Sequence, residues 1–493
     1  MLFNSYEFIF LFLPVTLLVF FKLGQYNQRL AAAWLAAASL FFYAWWNPVF
    51  VGLLLASITF NYGIGMAIVR QIDRQSEARK QWALLIGVAA NLVLLGYFKY
   101  FNFFVTSLNT GLGTDFAVEN IILPLGISFF TFTQIAFLVD ASRGLVREFN
   151  FIHYILFVTY FPHLIAGPVL HHKEMMPQFD KPQTYRLNYE CLSVGLTIFS
   201  IGLFKKVMLA DEMIKYVKPA FEATAHGQAV TFKEAWGAAL SYSLQLYFDF
   251  SGYSDMAIGL SRMFGVKLPL NFNSPYKAVN IIDFWRRWHM TLSRFLRDYL
   301  YIPLGGNRKG PIRRHINLLL TMLLGGLWHG AGWTFVIWGG LHGVYLIINH
   351  AWRSLRQKLG QDLEKSTWPG RLVSGFVTFV AVVFAWVFFR AENLQAGLAM
   401  TQSMLGINGF SFQGHFRLNT IASMLFIAWV MPNTQQIMAK FDPALPIRAT
   451  EFGSAPQWLQ WRPNWVWLVL IFTMAYLSLS QGDKISDFLY FQF

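Results

Sequence analysis

Apolar runs of about 14 to 21 residues recur along the whole chain, and short blocks between them hold most of its charge. A helix rises about 1.5 Å per residue, so roughly 20 residues cross about 30 Å of hydrocarbon. Runs on this scale are Phe8 to Phe21, Leu30 to Trp46, Val49 to Val69, Trp82 to Phe98, Ile121 to Val139, Phe151 to Leu170 and Leu192 to Leu209. Ala235 to Phe250, Ile316 to Trp328, Trp333 to Ile348, Leu372 to Phe389, Leu418 to Met431 and Trp465 to Leu479 follow. The pattern predicts an all-α, polytopic integral membrane protein forming one domain over 1–493, with about 11 transmembrane helices and a few runs that enter the membrane without crossing it. Glu7 precedes the first run and no Lys or Arg does, so it is expected to be a retained helix rather than a cleaved signal.

Composition sharpens this picture. Of 493 residues, 55% are hydrophobic and 13% charged, where a soluble domain has about 25% charged residues. A soluble globular protein is thereby excluded. Basic residues exceed acidic ones by 39 to 25, a formal charge of +14. Lys22 with Arg29, then Arg70, Arg74, Arg79 and Lys80, then Arg143 with Arg147 fall on alternate loops, which orients the N-terminus outward. The densest block, Arg286, Arg287, Arg294, Arg297, Arg308, Lys309, Arg313 and Arg314, is opposed only by Asp283 and Asp298 and is expected on the cytoplasmic side. Anchoring to anionic membrane lipids is the ordinary role of such a block. Its interleaved Trp285, Trp288, Phe295 and Tyr299 mark an interfacial stretch, so no nucleic-acid partner is expected. The single cysteine, Cys191, excludes an intrachain disulfide and any metal centre needing several thiolates.

Glycines and prolines interrupt several runs, at Gly126, Pro162, Gly167, Pro168, Gly325, Gly326, Gly330 and Gly332. Irregular backbone at membrane depth persists only against protein or a wet cavity, so a buried polar funnel is implied. His329 lies in an apolar stretch 15 positions beyond Arg314, roughly 20 Å along a helix axis and within the membrane. Two readings stand there: a general base for a hydroxyl, or a histidine that bridges helices by hydrogen bonds. His289 sits with Trp285, Ser293 and Arg297 at helical spacing, a stripe that faces either a funnel or the headgroups. Asp249 and Asp255 lie among Tyr247, Ser251, Tyr253 and Ser254 and need cationic partners, for which Arg286 and Arg287 are candidates; scaffolding is the simpler role for the pair. His342 and His350 read as packing or interfacial residues, His171 and His172 are adjacent and so point apart on a helix, and no metal site is expected. No phosphate-binding loop, serine-hydrolase elbow or zinc-protease helix is present.

Several stretches jointly resemble the membrane-bound O-acyltransferase superfamily, and within it the branch of the bacterial alginate O-acetyltransferase membrane subunit. They are Phe3 to Pro14, Leu123 to Phe132, Tyr160 to Pro168, Phe248 to Asp255, Asn271 to Tyr276, Asp283 to Asn307, Trp328-His329-Gly330, and Phe488 to Phe493. The resemblance spans essentially the whole chain and implies a helical ring around a central tunnel, with a catalytic core at about 121–350. It implies that His329 is the active histidine and His289 a second functional position. Trp328, Gly330, Trp285, Trp288, Asp255 and Asn271 would then line the tunnel, and Arg286, Arg287, Arg294 and Arg297 would meet the phosphates of coenzyme A.

On this resemblance, acetyl passes from cytoplasmic acetyl-CoA across a bacterial inner membrane to extracytoplasmic acetyltransferase partners that decorate a polysaccharide such as alginate. No tightly bound cofactor is expected. Attack on a thioester needs a base and donors for the oxyanion, and backbone N–H groups near Gly325, Gly326 and Gly330 can serve if the helix breaks there. D-alanyl transfer from a carrier protein to teichoic acid is the alternative within the class. A polysaccharide or lipid transporter is the alternative outside it, weakened by the lack of internal repeats.

Overall fold

The computed structural model describes residues 1–146, 149–363, 367–411, 417–446, 453–481 and 488–489. Arg147 of the third basic loop and residues 490–493 of the matching C-terminal stretch lie outside them. The described residues are helical with no strand beyond one isolated bridge, Pro269 to Leu445.

Among the described residues, five helices are long and apolar enough to cross a membrane: Phe8–Tyr26, Val49–Asp73, Glu77–Leu112, Tyr189–Ala225 and Trp368–Arg390. Ile127–Ser142, Leu418–Trp429 and Trp465–Leu479 are shorter apolar helices. The expected count of about 11 spans is therefore not reproduced by length and composition. One reason is visible at Phe151 to Leu170, where only Phe151–Thr159 is helical. Pro162, Gly167 and Pro168 cannot sustain the ladder, and Tyr160 to Leu170 continues as fully buried turns. Outward-facing Leu18, Val93, Phe376 and Val466 leave an apolar perimeter suited to lipid.

The apolar interior also holds buried polar side chains, among them Gln134, Asp249, Asn271 and His289. The Phe232–Met263 helix is buried on nearly every side. It reaches that depth by backbone contact: a Cβ on Gly195 would lie 2.6 Å from the Gly259 carbonyl, and one on Gly202 would lie 2.6 Å from that of Gly252. Small residues thus let it nest against Tyr189–Phe204. A second close crossing joins Gly310–His329 to Trp333–Lys358, where a Cβ on Gly326 would stand 2.2 Å from the Phe335 carbonyl oxygen. These glycines serve helix packing, which places His329 against the neighbouring helix.

Candidate active site

His329 is the last residue of the Gly310–His329 helix, and Gly330 leaves it in extended conformation. A helix ends there with unsatisfied carbonyls. Lys99 answers them: its buried ammonium donates to the Trp328 carbonyl at 2.6 Å, to the His329 carbonyl at 3.2 Å and to Ser128 Oγ at 3.1 Å. The Tyr100 hydroxyl donates to the Leu327 carbonyl at 2.7 Å. Lys99 and Tyr100 belong to a π-helical turn, Gly96–Tyr100, which carries both side chains toward this helix end. The His329 ring packs edge-on against Trp328, Trp338 and Phe389, at 4.9, 5.0 and 5.2 Å between centroids.

His289 lies 6.2 Å from His329, ring to ring, and is fully buried. It does not sit on a continuous helix as its spacing suggested. A short helix ends at Trp285, His289 adopts φ 42° and ψ 54°, and a new helix runs Met290–Leu296. Left-handed backbone at a non-glycine residue persists only when neighbours enforce it. Here Asn271 does so: its carbonyl accepts the Met290 N–H at 2.9 Å, while its Oδ1 accepts from Thr291 Oγ1 at 2.9 Å and contacts His289 Nδ1 at 3.0 Å. With the hydroxyl and the ring both directed at an acceptor oxygen, the proton is assigned to Nδ1, leaving Nε2 as the basic nitrogen.

Two cavities lie in this region; His329 lines one of them and His289 lines neither. One of about 550 Å³ is lined by His329, Trp328, Lys99 and Ser128 together with Ser5, Glu7, Trp45 and Trp46. The other, about 270 Å³, is lined by Trp285, Arg286, Arg294, Arg297, His350 and residues of the Gly310–His329 helix around Thr321. From Thr321 to His329 is eight residues, about 12 Å along the axis, so the cavities lie at different depths. These cavities share no lining residue, so the continuous tunnel expected from the resemblance is not seen between them. An aromatic wall including Trp285 and Trp338, 5.9 Å apart, stands beside His329.

The remaining candidates divide. Trp288 is buried and stacks on Phe284 at 5.7 Å, away from either cavity. Gly330 packs beneath the Phe335 ring, and its N–H is already bonded to the Gly326 carbonyl at 3.3 Å. Since the helix continues unbroken through Gly325 and Gly326, their N–H groups are held inside it and do not form the expected oxyanion donors. Asp255 is held by Lys205 at 2.6 Å, Thr434 and Gln435, and Asp249 by Lys206 at 2.8 Å and the Leu489 N–H. Lysines from the Lys205–Ala210 π-turn, not Arg286 or Arg287, are therefore the partners of these carboxylates. Asp255 lines neither cavity.

Of the four arginines proposed for phosphates, Arg287 is turned to Asp283 at 2.9 Å and lies outside the basic cavity. Arg294 forks onto Glu174, with one arm at 2.7 Å, and Arg297 pairs with Asp298 at 2.7 Å. Arg286 lines the cavity and makes no ion pair among the described residues. His171 and His172 converge on Asp140, at 3.8 and 3.3 Å, and no group of three metal-ligating side chains forms among the described residues.

The structure thus brings together a buried histidine at a helix end, a second histidine beside it and a cavity that the first of them lines. The sequence matches the membrane-bound O-acyltransferase (MBOAT) family over residues 129–391. It is 47% identical to the peptidoglycan O-acetyltransferase of Helicobacter pylori, over 83% of this chain and 81% of that one. It is 41% identical to the "Probable alginate O-acetylase AlgI" of Pseudomonas putida over the full length of both. The teichoic acid D-alanyltransferase of Bacillus subtilis is 30% identical over 56% of this chain and 70% of that one. The chain belongs to the membrane-bound O-acyltransferase family, and it is an acyltransferase of the membrane.

Proposed function

We propose that the protein is an O-acetyltransferase of the bacterial inner membrane that takes acetyl from acetyl-CoA on the cytoplasmic side and delivers it outward for O-acetylation of a polysaccharide. The observation that carries this reading is the position of His329: it lines the larger cavity and reaches toward the basic cavity through Trp338. Positive-inside orientation puts the Arg286 to Arg314 block on the cytoplasmic face, so the basic cavity receives the donor. Arg286 is its available cation for phosphate, and the Arg294 and Arg297 ion pairs exchange or tilt to join it. The larger cavity, with the N-terminal residues, receives the hydroxyl acceptor, which belongs to an extracytoplasmic acetyltransferase partner or to the glycan.

His329 removes the acceptor proton as the oxygen attacks the thioester carbonyl. A C–O bond forms, the tetrahedral intermediate collapses with cleavage of C–S, and the proton passes from the imidazole to the departing thiolate. His289 lies beside His329, its ring fixed by Asn271, and supports that exchange electrostatically. Acetyl rather than D-alanyl is favoured because the O-acetyltransferase and O-acetylase relatives match over 77% or more of their length and the Bacillus subtilis D-alanyltransferase over 70%.

The test is transfer of label from radiolabelled acetyl-CoA in membranes holding wild type or His329→Ala at matched expression. Label reaches an acceptor only with wild type; equal labelling by His329→Ala sinks the assignment.

A further inference from the structure

Three hydrogen-bonding side chains in the wall between the basic cavity and His329 are left unpaired by the protein itself. Trp285 Nε1, Trp338 Nε1 and both ring nitrogens of His342 are buried without a hydrogen-bond partner among the described residues. His342 is fully buried, with Trp285 at 5.1 Å on one side and Trp338 at 4.9 Å on the other. Trp338 in turn touches His329 at 5.0 Å. Trp338, His342, Leu346 and His350 recur every fourth residue on the Trp333–Lys358 helix and so share one face. Leu346 and His350 already line the basic cavity. The stripe therefore runs about 18 Å, from the cavity's rim to the catalytic histidine.

Burying polar nitrogens without partners opposes folding, and phenylalanine would fill the same space without that cost. The groups present specify what would satisfy them. An indole only donates, whereas a neutral imidazole donates once and accepts once. Donors with one acceptor match a secondary amide, which offers a carbonyl and an N–H together. They do not match a phosphate, which needs cations that this wall lacks, or a hydrocarbon chain, which needs no polar atom.

We propose that His342, flanked by the indoles of Trp285 and Trp338, binds an amide of the acyl donor's extended arm and thereby sets the thioester carbonyl at His329. The proposal rests on the thioester-donor reading above. His342 is a binding residue in this scheme and takes no proton from the acceptor.

The test compares two acetyl thioesters in membranes carrying matched amounts of the full chain: acetyl-pantetheine, whose arm has two amides, and butyl thioacetate, which has none. His342→Phe is expected to lower kcat/KM for acetyl-pantetheine at least tenfold, chiefly through KM, and to change that for butyl thioacetate by less than twofold. His342→Asn, which keeps a donor and an acceptor, is expected to restore part of the loss. Equal losses with both thioesters, as a packing or water-binding role would give, or no loss with either, overturn the proposal. Should His342→Phe fail to accumulate, Trp285→Phe provides the same comparison with a smaller selective loss. If wild type transfers acetyl from neither thioester, the donor reading fails and this proposal with it; if wild type is active and only the selectivity is missing, this proposal alone fails.

Discussion

Replacing Lys99 with methionine separates the role of a buried cation in positioning His329 from any role in stability. The side chain keeps its length, but the three hydrogen bonds to the Trp328 carbonyl, the His329 carbonyl and Ser128 disappear. Hydrogen bonds from a charged donor contribute about 1.5–3 kcal/mol each, and a buried carbonyl left alone costs about 1–3 kcal/mol. Against this, the variant no longer buries an ammonium, a penalty of several kcal/mol. The two effects oppose each other, so global stability should move little. Local geometry should not be spared, because, of the hydrogen bonds described at the helix end, that of Tyr100 to the Leu327 carbonyl is the one left. A His329 ring free to shift from its near-attack position is expected to lose 10- to 100-fold in kcat, about 1.4–2.8 kcal/mol of barrier. KM for the donor should stay within about twofold, because Lys99 lines the opposite cavity. Initial rates of label transfer from acetyl-CoA, with thermal unfolding of purified protein as the control, measure both quantities. A kcat within twofold of wild type would refute the clamp argument, and a collapse in thermal stability with proportionate loss of active protein would reassign Lys99 to folding.

Other expectations follow from the same geometry. Asn271→Ala removes the acceptor that His289 and Thr291 share; transfer should fall about tenfold or more with the protein still folded, and an unchanged rate would show that His289 needs no fixed tautomer. Arg286→Ala should raise KM for acetyl-CoA several-fold while leaving acetyl-pantetheine, which lacks the terminal phosphates, unaffected; steady-state kinetics with both donors decide this. Asp255→Asn breaks the buried pair with Lys205, so thermal stability should drop by about 3–5 kcal/mol with little change in rate per folded molecule. A rate lost without a stability loss would return Asp255 to the active site.

Much of the architecture was legible because apolar runs and helix-interrupting prolines and glycines are local features. The stretch from Arg314 to His329 is helical as read, the end of that helix at Gly330 was not foreseen, and the interruption expected around Pro162, Gly167 and Pro168 is buried and irregular. What escaped was set by tertiary contacts. The stripe Trp285, His289, Ser293, Arg297 has helical spacing, yet Asn271 captures the backbone at Met290 and turns His289 left-handed. No periodicity reports a hydrogen bond to a residue 18 positions away. The partners of Asp249 and Asp255 were sought among arginines near in sequence, while a π-turn delivers Lys205 and Lys206. Lys99 did carry a signal, a lone cation within the apolar stretch around Leu94 and Phe103. An ionisable group at that depth marks function or a specific partner, here the end of the His329 helix.

The central claim is transfer from one face of the membrane to the other through His329. Inside-out and right-side-out vesicles carrying wild type or His329→Ala, supplied externally with membrane-impermeant radiolabelled acetyl-CoA, test it most directly. The account predicts labelled acceptor on the extracytoplasmic side only when the donor meets the cytoplasmic face, and only with wild type. Labelling of equal extent from either face, or in the His329→Ala vesicles, would contradict it.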